Sequence, residues 1–386
     1  MAFIRNKTVN LLNFHYGLLS LASRSGGVFI AAFMLQAGVP APMVLLAYAG
    51  VHTARFFLRP LVLVVGKRVG LRPLVMFGGA FYAVGYLLLP FVDGVGWALL
   101  GVVIASAVSD SFYWTSYHAY FAALGDSEHR GHQISFREAV VSVIGIVAPI
   151  AGGIVLVTFG PMIAFGATAA IQALCVLPLL GTPNIPVARD VDGAFQASLP
   201  GFRLFVADGF TAAGNYLVWS LVLFGALSQS FTAYGGAMAA AALVGAAAGL
   251  FMGRNIDLGH GMRAVWLMFG AGVAIILAKT FAVSPPLAIA ANVLPALIGS
   301  LHTPTLMTAV YNLAKRSPCP LRFHLAAEGG WDVGYVTGLL ISAGLLLLGA
   351  SAHWVIPISL LGMVGLFVML RRYYATPEAQ AAAAAA

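Results

Sequence analysis

Three ionisable side chains lie inside long apolar stretches in the first third of the chain. Arg24, Arg55 and Asp110 each lie inside a predominantly apolar run of about 20 residues or more. An ionised group at the centre of a bilayer costs roughly 2.5–3.5 kcal/mol on insertion scales, so such groups pair with one another or line a pathway. Two guanidinium groups and one carboxylate together have a net positive charge, and His52 can add to that charge. Because guanidinium binds carboxylate or phosphate in a forked geometry, the set predicts either a structural ion pair or a site for an anionic or partly anionic ligand.

Helical spacing adds aromatic side chains to this set. Residues four apart share one face of an α-helix, so Trp114 and His118 continue the face that begins at Asp110. We predict that Trp114 and Tyr117 form part of the wall of a binding cavity. His118 has the chemistry of a proton carrier, and a packed histidine that only forms hydrogen bonds is the alternative.

The second half of the chain carries acidic and aromatic side chains in its apolar stretches. Asn215 and Trp219 are one helical turn apart, and His302 lies two residues before Pro304. We predict that Asn215, Trp219 and His302 contact a bound ligand. A basic half and an acidic half together favour a zwitterionic ligand, or an anion whose movement is driven by protons.

Proton movement requires groups that gain and lose a proton near neutral pH. Asp208, Glu328 and Asp332 have no obvious arginine partner in the sequence, so we predict that they carry protons. Asp110 is instead predicted to stay ionised as the counter-ion of Arg24 or Arg55. That pairing can be permanent, or it can open when the ligand arrives.

The elements that position these residues follow from composition. The chain is 61% hydrophobic and 8% charged, with a mean hydropathy of +0.94, whereas soluble domains carry about 25% charged residues. Most of the chain is therefore expected to lie in lipid, where about 20 apolar residues cross a bilayer as one helix. Apolar runs of that length lie at about 13–36, 42–66, 73–92, 96–123, 136–158, 160–181, 201–228, 231–253, 263–283, 285–314, 324–349 and 353–371.

These runs predict an all-α membrane protein with twelve transmembrane helices in two pseudo-symmetric six-helix bundles. We place the first bundle at residues 1–181, a cytoplasmic linker at 182–200 and the second bundle at 201–373. Residues 374–386 are predicted to be a disordered or added tail. Paired halves of this kind with a site between them are the common plan of secondary transporters.

Lysine and arginine residues concentrate in alternate connections between the predicted helices. With a cytoplasmic N-terminus, the basic connections fall on the cytoplasmic side, and Lys279 alone falls in a loop on the other side. This distribution predicts a bacterial inner (plasma) membrane protein with both termini in the cytoplasm. It also accounts for the net charge of +8 without a nucleic-acid surface. No cleavable signal peptide is apparent, so the first run is interpreted as a membrane helix.

Two short motifs carry a resemblance to a known family. The connection "LVVGKRVGLR" has Arg68, Gly70 and Arg72 at the positions of a loop motif that reads roughly G-x-x-x-D-R-x-G-R-R, with Lys67 where the aspartate belongs. A partial copy, "GLFMGRN", contains Arg254. The stretch "GIVAPIAGG", residues 145 to 153, is similar to a motif that ends G-P-x-x-G-G. On these motifs and on its predicted topology, the chain resembles the major facilitator superfamily.

The resemblance implies roles for the motif residues. In the family the loop motif acts as a cytoplasmic latch, which would give gating roles to Arg68, Gly70, Arg72 and Arg254. The second motif is commonest in proton-driven exporters, and it would add the bending and packing positions Pro149, Gly152 and Gly153. The missing aspartate puts the usual latch in doubt.

The lead hypothesis is a monomeric, proton-coupled secondary transporter that moves a small organic anion or zwitterion by alternating access. Three alternatives stay open: a multidrug-type proton antiporter that exports amphipathic compounds, a non-transporting sensor or scaffold, and a less favoured metal or metal-chelate carrier. The sequence has no G-x-x-x-x-G-K-[ST] loop and no clustered Cys/His set, and its cysteines are Cys175 and Cys319. We therefore expect no enzymatic activity, no cofactor, no bound metal and no nucleic-acid partner; the expected partners are a small molecule, protons and the lipid bilayer.

Overall fold

The computed structural model describes residues 6–124, 130–187, 191–252 and 261–376. Those residues form helices and connections and contain no β-strand. Helices satisfy every backbone hydrogen bond within one segment, which a lipid environment demands. The helices are α1 Lys7–Ser25, α2 Ile30–Gln36, α3 Ala41–Val69, α4 Leu71–Leu88, α5 Trp97–Leu124, α6 Arg130–Leu174, α7 Ala194–Ala197, α8 Leu199–Ala212, α9 Trp219–Ala226, α10 Phe231–Met252, α11 Gly261–Thr280, α12 Pro285–Arg316, α13 Pro320–Leu347, α14 Ala352–Val355 and α15 Ser359–Tyr374.

Eleven segments among the described residues are long and apolar enough to cross a membrane. One of them, Arg137–Gly181, has 45 residues and contains Gly160 with the non-helical angles φ 79° and ψ 171°. The break divides it into two spans, at the gap predicted between the runs 136–158 and 160–181. The prediction of an all-α membrane protein with twelve spans is confirmed.

Contacts within the chain define two compact units. Unit 1 comprises Met1–Pro40, Gly50–Asp190 and Ser230–Ala239, and unit 2 comprises Ala41–Ala49, Val191–Gln229 and Ala240–Ala386. Unit 1 has an aromatic core in which Tyr113, Tyr117 and Tyr120 pack against α1 and the end of α6. The core of unit 2 is built from α8, α11, α12, α13 and α15 around Phe323 and Leu366.

The first span of the chain and the seventh are both interrupted. In the first, α1 ends at Ser25 and a 3₁₀ turn, Gly27–Phe29, leads into α2. In the seventh, α8 and α9 are separated by a π-helical turn, Ala213–Val218. Interrupted membrane helices are found where the irregular backbone lines a cavity or binds an ion, so these two positions mark candidate sites.

Close helix packing explains the position of Gly152 in α6. A Cβ atom at this position would lie 1.9 Å from the main-chain oxygen of Ser25, at the end of α1. No side chain can be added there unless the two helices separate. In unit 2, Gly330, Gly334 and Gly338 of α13 bring its backbone against that of α8 in the same way, a small-residue packing typical of membrane helices.

The Gly152→Ala protein is expected to be less stable than the wild type by about 1–3 kcal/mol, the usual cost of overpacking. Gly166→Ala in the same helix is the matched control, because a Cβ atom there meets no atom within 4 Å. Thermal unfolding in detergent measures both. Equal melting temperatures for the two variants would show that α1 and α6 are not held in this contact.

Candidate functional site

Unit 1 contains a cavity of about 440 Å³ beside the interruption of the first span. Polar and aromatic side chains predominate in its wall, and they come from α1, α4, α5 and α6. The lining residues are Tyr16, Leu19, Ser20, Ser23, Arg24, Gly27, Val28, Tyr82, Tyr86, Trp114, Val141 and Gln172.

Arg24 is the cation of this cavity. It lies in the last turn of α1, directly before the break, and its side chain is exposed. Within the residues that the structure describes, no hydrogen bond or ion pair joins it to another side chain. Its fork of N–H donors is therefore open to a ligand, and it suits a carboxylate or a phosphate.

Aromatic rings form one side of the cavity. The Trp114 ring lines it and stacks on His118, with 5.7 Å between ring centroids. Tyr117 is buried and lies parallel to Tyr16, with centroids 5.3 Å apart. The structure thus places Trp114 in the wall of the cavity and Tyr117 in the layer that supports Tyr16, and the ligand-binding role of both stays a prediction.

Asp110 has a partner that the sequence did not indicate. The hydroxyl of Tyr82, a residue of the cavity wall, donates a hydrogen bond to the Asp110 carboxylate. Arg55 lies on α3, and His52 is buried one turn before it. Tyr82 and Asp110 are thus paired at the cavity, whereas Arg24 stands at the interruption of the first span.

Arg137 is a second cation near the cavity that the sequence analysis missed. Its guanidinium carbon lies 4.7 Å from the centroid of the Tyr16 ring and 4.9 Å from that of Phe121. It forms a 2.7 Å ion pair with Glu138 and donates to the Tyr117 hydroxyl at 3.4 Å. The ion pair with Glu138 holds Arg137 against the Tyr16 ring. The adjacent arginine and glutamate in the sequence were the signal that could have indicated this pair.

A buried histidine fixes the layer behind the wall. The Nδ1 atom of His15 is 2.6 Å from the main-chain oxygen of Cys175, and its Nε2 atom is 2.9 Å from the hydroxyl of Tyr113. A carbonyl can only accept, so Nδ1 donates to it, and in the neutral ring Nε2 accepts from Tyr113. Both ring nitrogens are satisfied, which gives His15 a structural role in positioning α5.

In unit 2, Asp208 and His302 form a pair. The Nε2 atom of His302 lies 2.8 Å from Oδ1 of Asp208, and the two side chains are 24% and 17% exposed, respectively. The sequence analysis assigned Asp208 to proton movement and His302 to ligand binding, and the structure brings them together. A carboxylate and an imidazole in contact can hold and pass a proton.

The placement of Lys279 in a loop is wrong. It lies in the last turn of α11, inside the predicted run 263–283, and its side chain is 2% exposed. Its Nζ atom donates to the main-chain oxygen and to Oδ1 of Asn215 and lies 5.3 Å from the centroid of the Trp219 ring. Asn215 and Trp219, predicted as ligand contacts, therefore surround a lysine of the chain.

The other two carboxylates that were predicted to carry protons, Glu328 and Asp332, lie on α13, which packs against α8. Asp332 is completely buried and Glu328 is half-buried. The stacked rings of Trp331 and Tyr335, 4.5 Å apart, lie beside them. The proton-carrying role assigned to these two carboxylates stays a prediction.

The connection after α3 is tied to the chain that follows α6. Gly70 has φ 82°, a conformation that favours glycine, and Arg72 donates to the main-chain oxygen of Thr182 at 2.7 Å. The Asn184 amide bonds the main-chain oxygen of Val69 at 2.7 Å. Arg68 is exposed. Arg254 lies outside the described residues, and the gating role of the motif stays a prediction.

The second motif packs against the start of α10. A Cβ atom at Gly153 would lie 2.6 Å from the main-chain oxygen of Phe231, and one at Gly235 would lie 2.3 Å from that of Pro149. The motif thus brings backbone against backbone, as Gly152 does on the side of α1. This is the close approach that its small residues predict.

Comparisons with known proteins agree with this architecture. Residues 14–232, more than half of the chain, match the model of the Major Facilitator Superfamily. The enterobactin exporter EntS of Salmonella typhi and that of Salmonella typhimurium strain LT2 are each 30% identical over 253 residues. That alignment covers 60% of this chain and 60% of each relative, so the chain spans about 60% of the length of the curated relatives it matches.

Two solved structures are similar in fold. A bacterial homologue of the iron transporter ferroportin, crystallised in an inward-facing state, has a TM-score of 0.69 at 13% identity and covers 97% of this chain and 99% of that chain. The human organic anion transporter MFSD10 (TETRAN) has a TM-score of 0.64 at 16% identity, with coverages of 96% and 100%. At these identities the likeness shows the fold alone.

Among the described residues, no group of three or more His, Cys, Asp or Glu residues could hold a metal ion.

Proposed function

We propose that this chain, which belongs to the major facilitator superfamily, exports an organic anion by alternating access. It is a multi-pass integral membrane protein, and the family and relatives that it matches are transporters rather than enzymes. The observation that carries the proposal is the exposed guanidinium of Arg24 in the cavity of unit 1. The proposed location is the inner membrane of a bacterium, with both termini in the cytoplasm.

The charge of the cavity supports an anionic ligand. No carboxylate of the residues that the structure describes contacts Arg24, so a ligand carboxylate or phosphate would be a close counter-charge for it. Ser20 and Ser23 of α1 and the amide of Gln172 add polar groups to the same wall. Asp110 accepts a hydrogen bond from Tyr82 at Oδ1, and its carboxylate keeps further acceptor sites for the basic group of a zwitterion.

The apolar part of the ligand is expected to lie on aromatic rings. Tyr16, Tyr82, Tyr86 and Trp114 line the cavity, and rings of this kind bind flat, unsaturated groups through stacking and edge contacts. A ligand with an acidic group at one end and a planar body therefore fits the cavity better than a compact inorganic anion.

Export is favoured by two observations. The curated relatives are named as exporters of enterobactin, and the motif that contains Pro149, Gly152 and Gly153 is close-packed, as its resemblance to an exporter motif implies. Protons are the proposed driving ion, and the contact between Asp208 and His302 in unit 2 is the proposed proton-carrying pair.

Transport in proteoliposomes tests this function. Purified protein is reconstituted, a pH gradient is imposed, and the movement of a panel of organic acids is measured beside that of their neutral amides, with enterobactin included. The proposal predicts gradient-driven movement of acids and little movement of the matched amides. Equal movement of acids and amides would favour a multidrug-type exporter, and no movement of any compound would contradict transport.

A further inference from the structure

A buried ammonium group lies against the interrupted seventh span in unit 2. Lys279 reaches from α11 to the π-helical turn Ala213–Val218. Its Nζ atom lies 2.7 Å from the main-chain oxygen of Asn215 and 2.8 Å from its side-chain oxygen. The ring centroids of Trp219 and Tyr216 are 5.3 Å and 5.9 Å away. Two oxygens and two aromatic faces thus surround the charge.

All of these partners are neutral. Among the described residues, Lys279 forms no ion pair with a carboxylate; its contacts are the two oxygens of Asn215 and the two rings. A cation buried in a membrane helix bundle needs such groups in place of water. Carbonyl and amide oxygens and aromatic faces are the neutral groups that attract a cation.

One of these oxygens belongs to the main chain of the π-helical turn. A π-helical turn displaces the regular hydrogen bonds of the helix, and such turns are frequent at functional sites. In transporters, carbonyl groups of unwound membrane helices coordinate monovalent cations. The indole of Trp219 is held by a 3.1 Å hydrogen bond from Nε1 to Oδ1 of Asn292, so Asn292 fixes the ring that faces the ammonium group.

We propose that Asn215, Tyr216 and Trp219 form a site for a monovalent cation, and that the ammonium group of Lys279 is the cation that occupies it. The chain thus carries a tethered cation that holds the π-helical turn in place. The ligand class is a small monovalent cation of the ammonium type. The site lies within unit 2, and its occupation can be measured without any transport.

Chemical rescue tests the proposal. The Lys279→Ala substitution removes three methylene groups and the ammonium, which is the structure of n-propylammonium. We expect Lys279→Ala protein in detergent to melt about 5 °C or more below the wild type. Added n-propylammonium should restore at least half of that loss in a saturable manner, and it should leave the wild type unchanged. The neutral analogue 1-propanol, which matches the shape without the charge, should restore nothing.

Further variants make the outcome decisive. Lys315→Ala removes an exposed lysine from the end of α12 and should show neither the loss nor the rescue. Lys279→Met keeps an unbranched side chain that is shorter by one atom and has no charge, and it should melt well below the wild type. Equal rescue by n-propylammonium and 1-propanol, or no rescue of a folded Lys279→Ala protein, overturns the proposal. If Lys279→Ala cannot be purified, a Lys279→Met protein as stable as the wild type overturns it.

Discussion

The Arg24→Gln protein is expected to transport organic anions at least about 30-fold more slowly than the wild type, because the loss of one partner from a desolvated charge pair costs about 2–5 kcal/mol. Glutamine keeps a polar side chain and removes the charge and the forked donors. Arg24→Lys should fall between the two, since lysine keeps the charge without the forked geometry. The measurement is counterflow of a labelled organic acid in proteoliposomes.

A matched substitution separates the charge of the cavity from the charge of the whole protein. Arg203 is exposed at the start of α8 in unit 2, and Arg203→Gln changes the net charge by the same amount. It should transport at the rate of the wild type. A transport rate of Arg24→Gln that equals that of Arg203→Gln would show that Arg24 does not bind the anion.

The Asp208→Asn protein is expected to lose at least about nine-tenths of its pH-gradient-driven transport while it keeps counterflow at symmetric pH, because an amide cannot take up or release the proton of a coupled carboxyl group. Its Oδ1 atom can still accept a hydrogen bond from His302. The contact that positions the two helices is therefore preserved, and the change acts on the proton rather than on packing. The two rates are measured on the same proteoliposomes.

Asp192→Asn is the matched control, since Asp192 is exposed near the start of unit 2. It should leave both rates unchanged. Retention of gradient-driven transport by Asp208→Asn would remove Asp208 from the coupling mechanism. A parallel loss of counterflow would assign it a structural role instead.

The fold could be predicted from the sequence because each span is a run of apolar residues long enough to cross a bilayer. The run that begins at residue 285 ends at Arg316 in the structure, within two residues of the prediction. The break at Gly160 was visible as the gap between two runs. The interruptions near Gly27 and at Ala213–Val218 were not predictable in this way, since they depend on the hydrogen-bond register of a helix rather than on its composition.

The candidate site was predicted in part, because an ionised side chain costs free energy inside a membrane span and is therefore conspicuous in the sequence. Arg24 stood out because an ionised group is rare in an apolar run, and the structure places it in the cavity. Tyr82 and Tyr86 also line that cavity, but a tyrosine is ordinary in a membrane helix and nothing in its neighbours marked it. Arg137 was not predicted because it lies at the edge of a predicted run, where a basic residue usually indicates the cytoplasmic end of a membrane helix.

Lys279 was misplaced for a related reason. A lysine near the end of an apolar run normally extends toward water, and its sequence position suggested a loop. The structure turns it inward to Asn215, which lies in the π-helical turn. Partners that come together through an irregular backbone cannot be read from the spacing of residues along the chain.

The most direct test of the central claim, that Arg24 selects an anion in the cavity of unit 1, is the binding of a matched pair of compounds. Salicylate and salicylamide have nearly the same shape and differ in charge, and their affinities for the purified protein can be compared by calorimetry. The account predicts that the wild type binds salicylate at least about tenfold more tightly, a difference of roughly 1.4 kcal/mol, and that Arg24→Gln binds the two compounds alike. Equal affinities in the wild type, or a preference for salicylate that persists in Arg24→Gln, would contradict it.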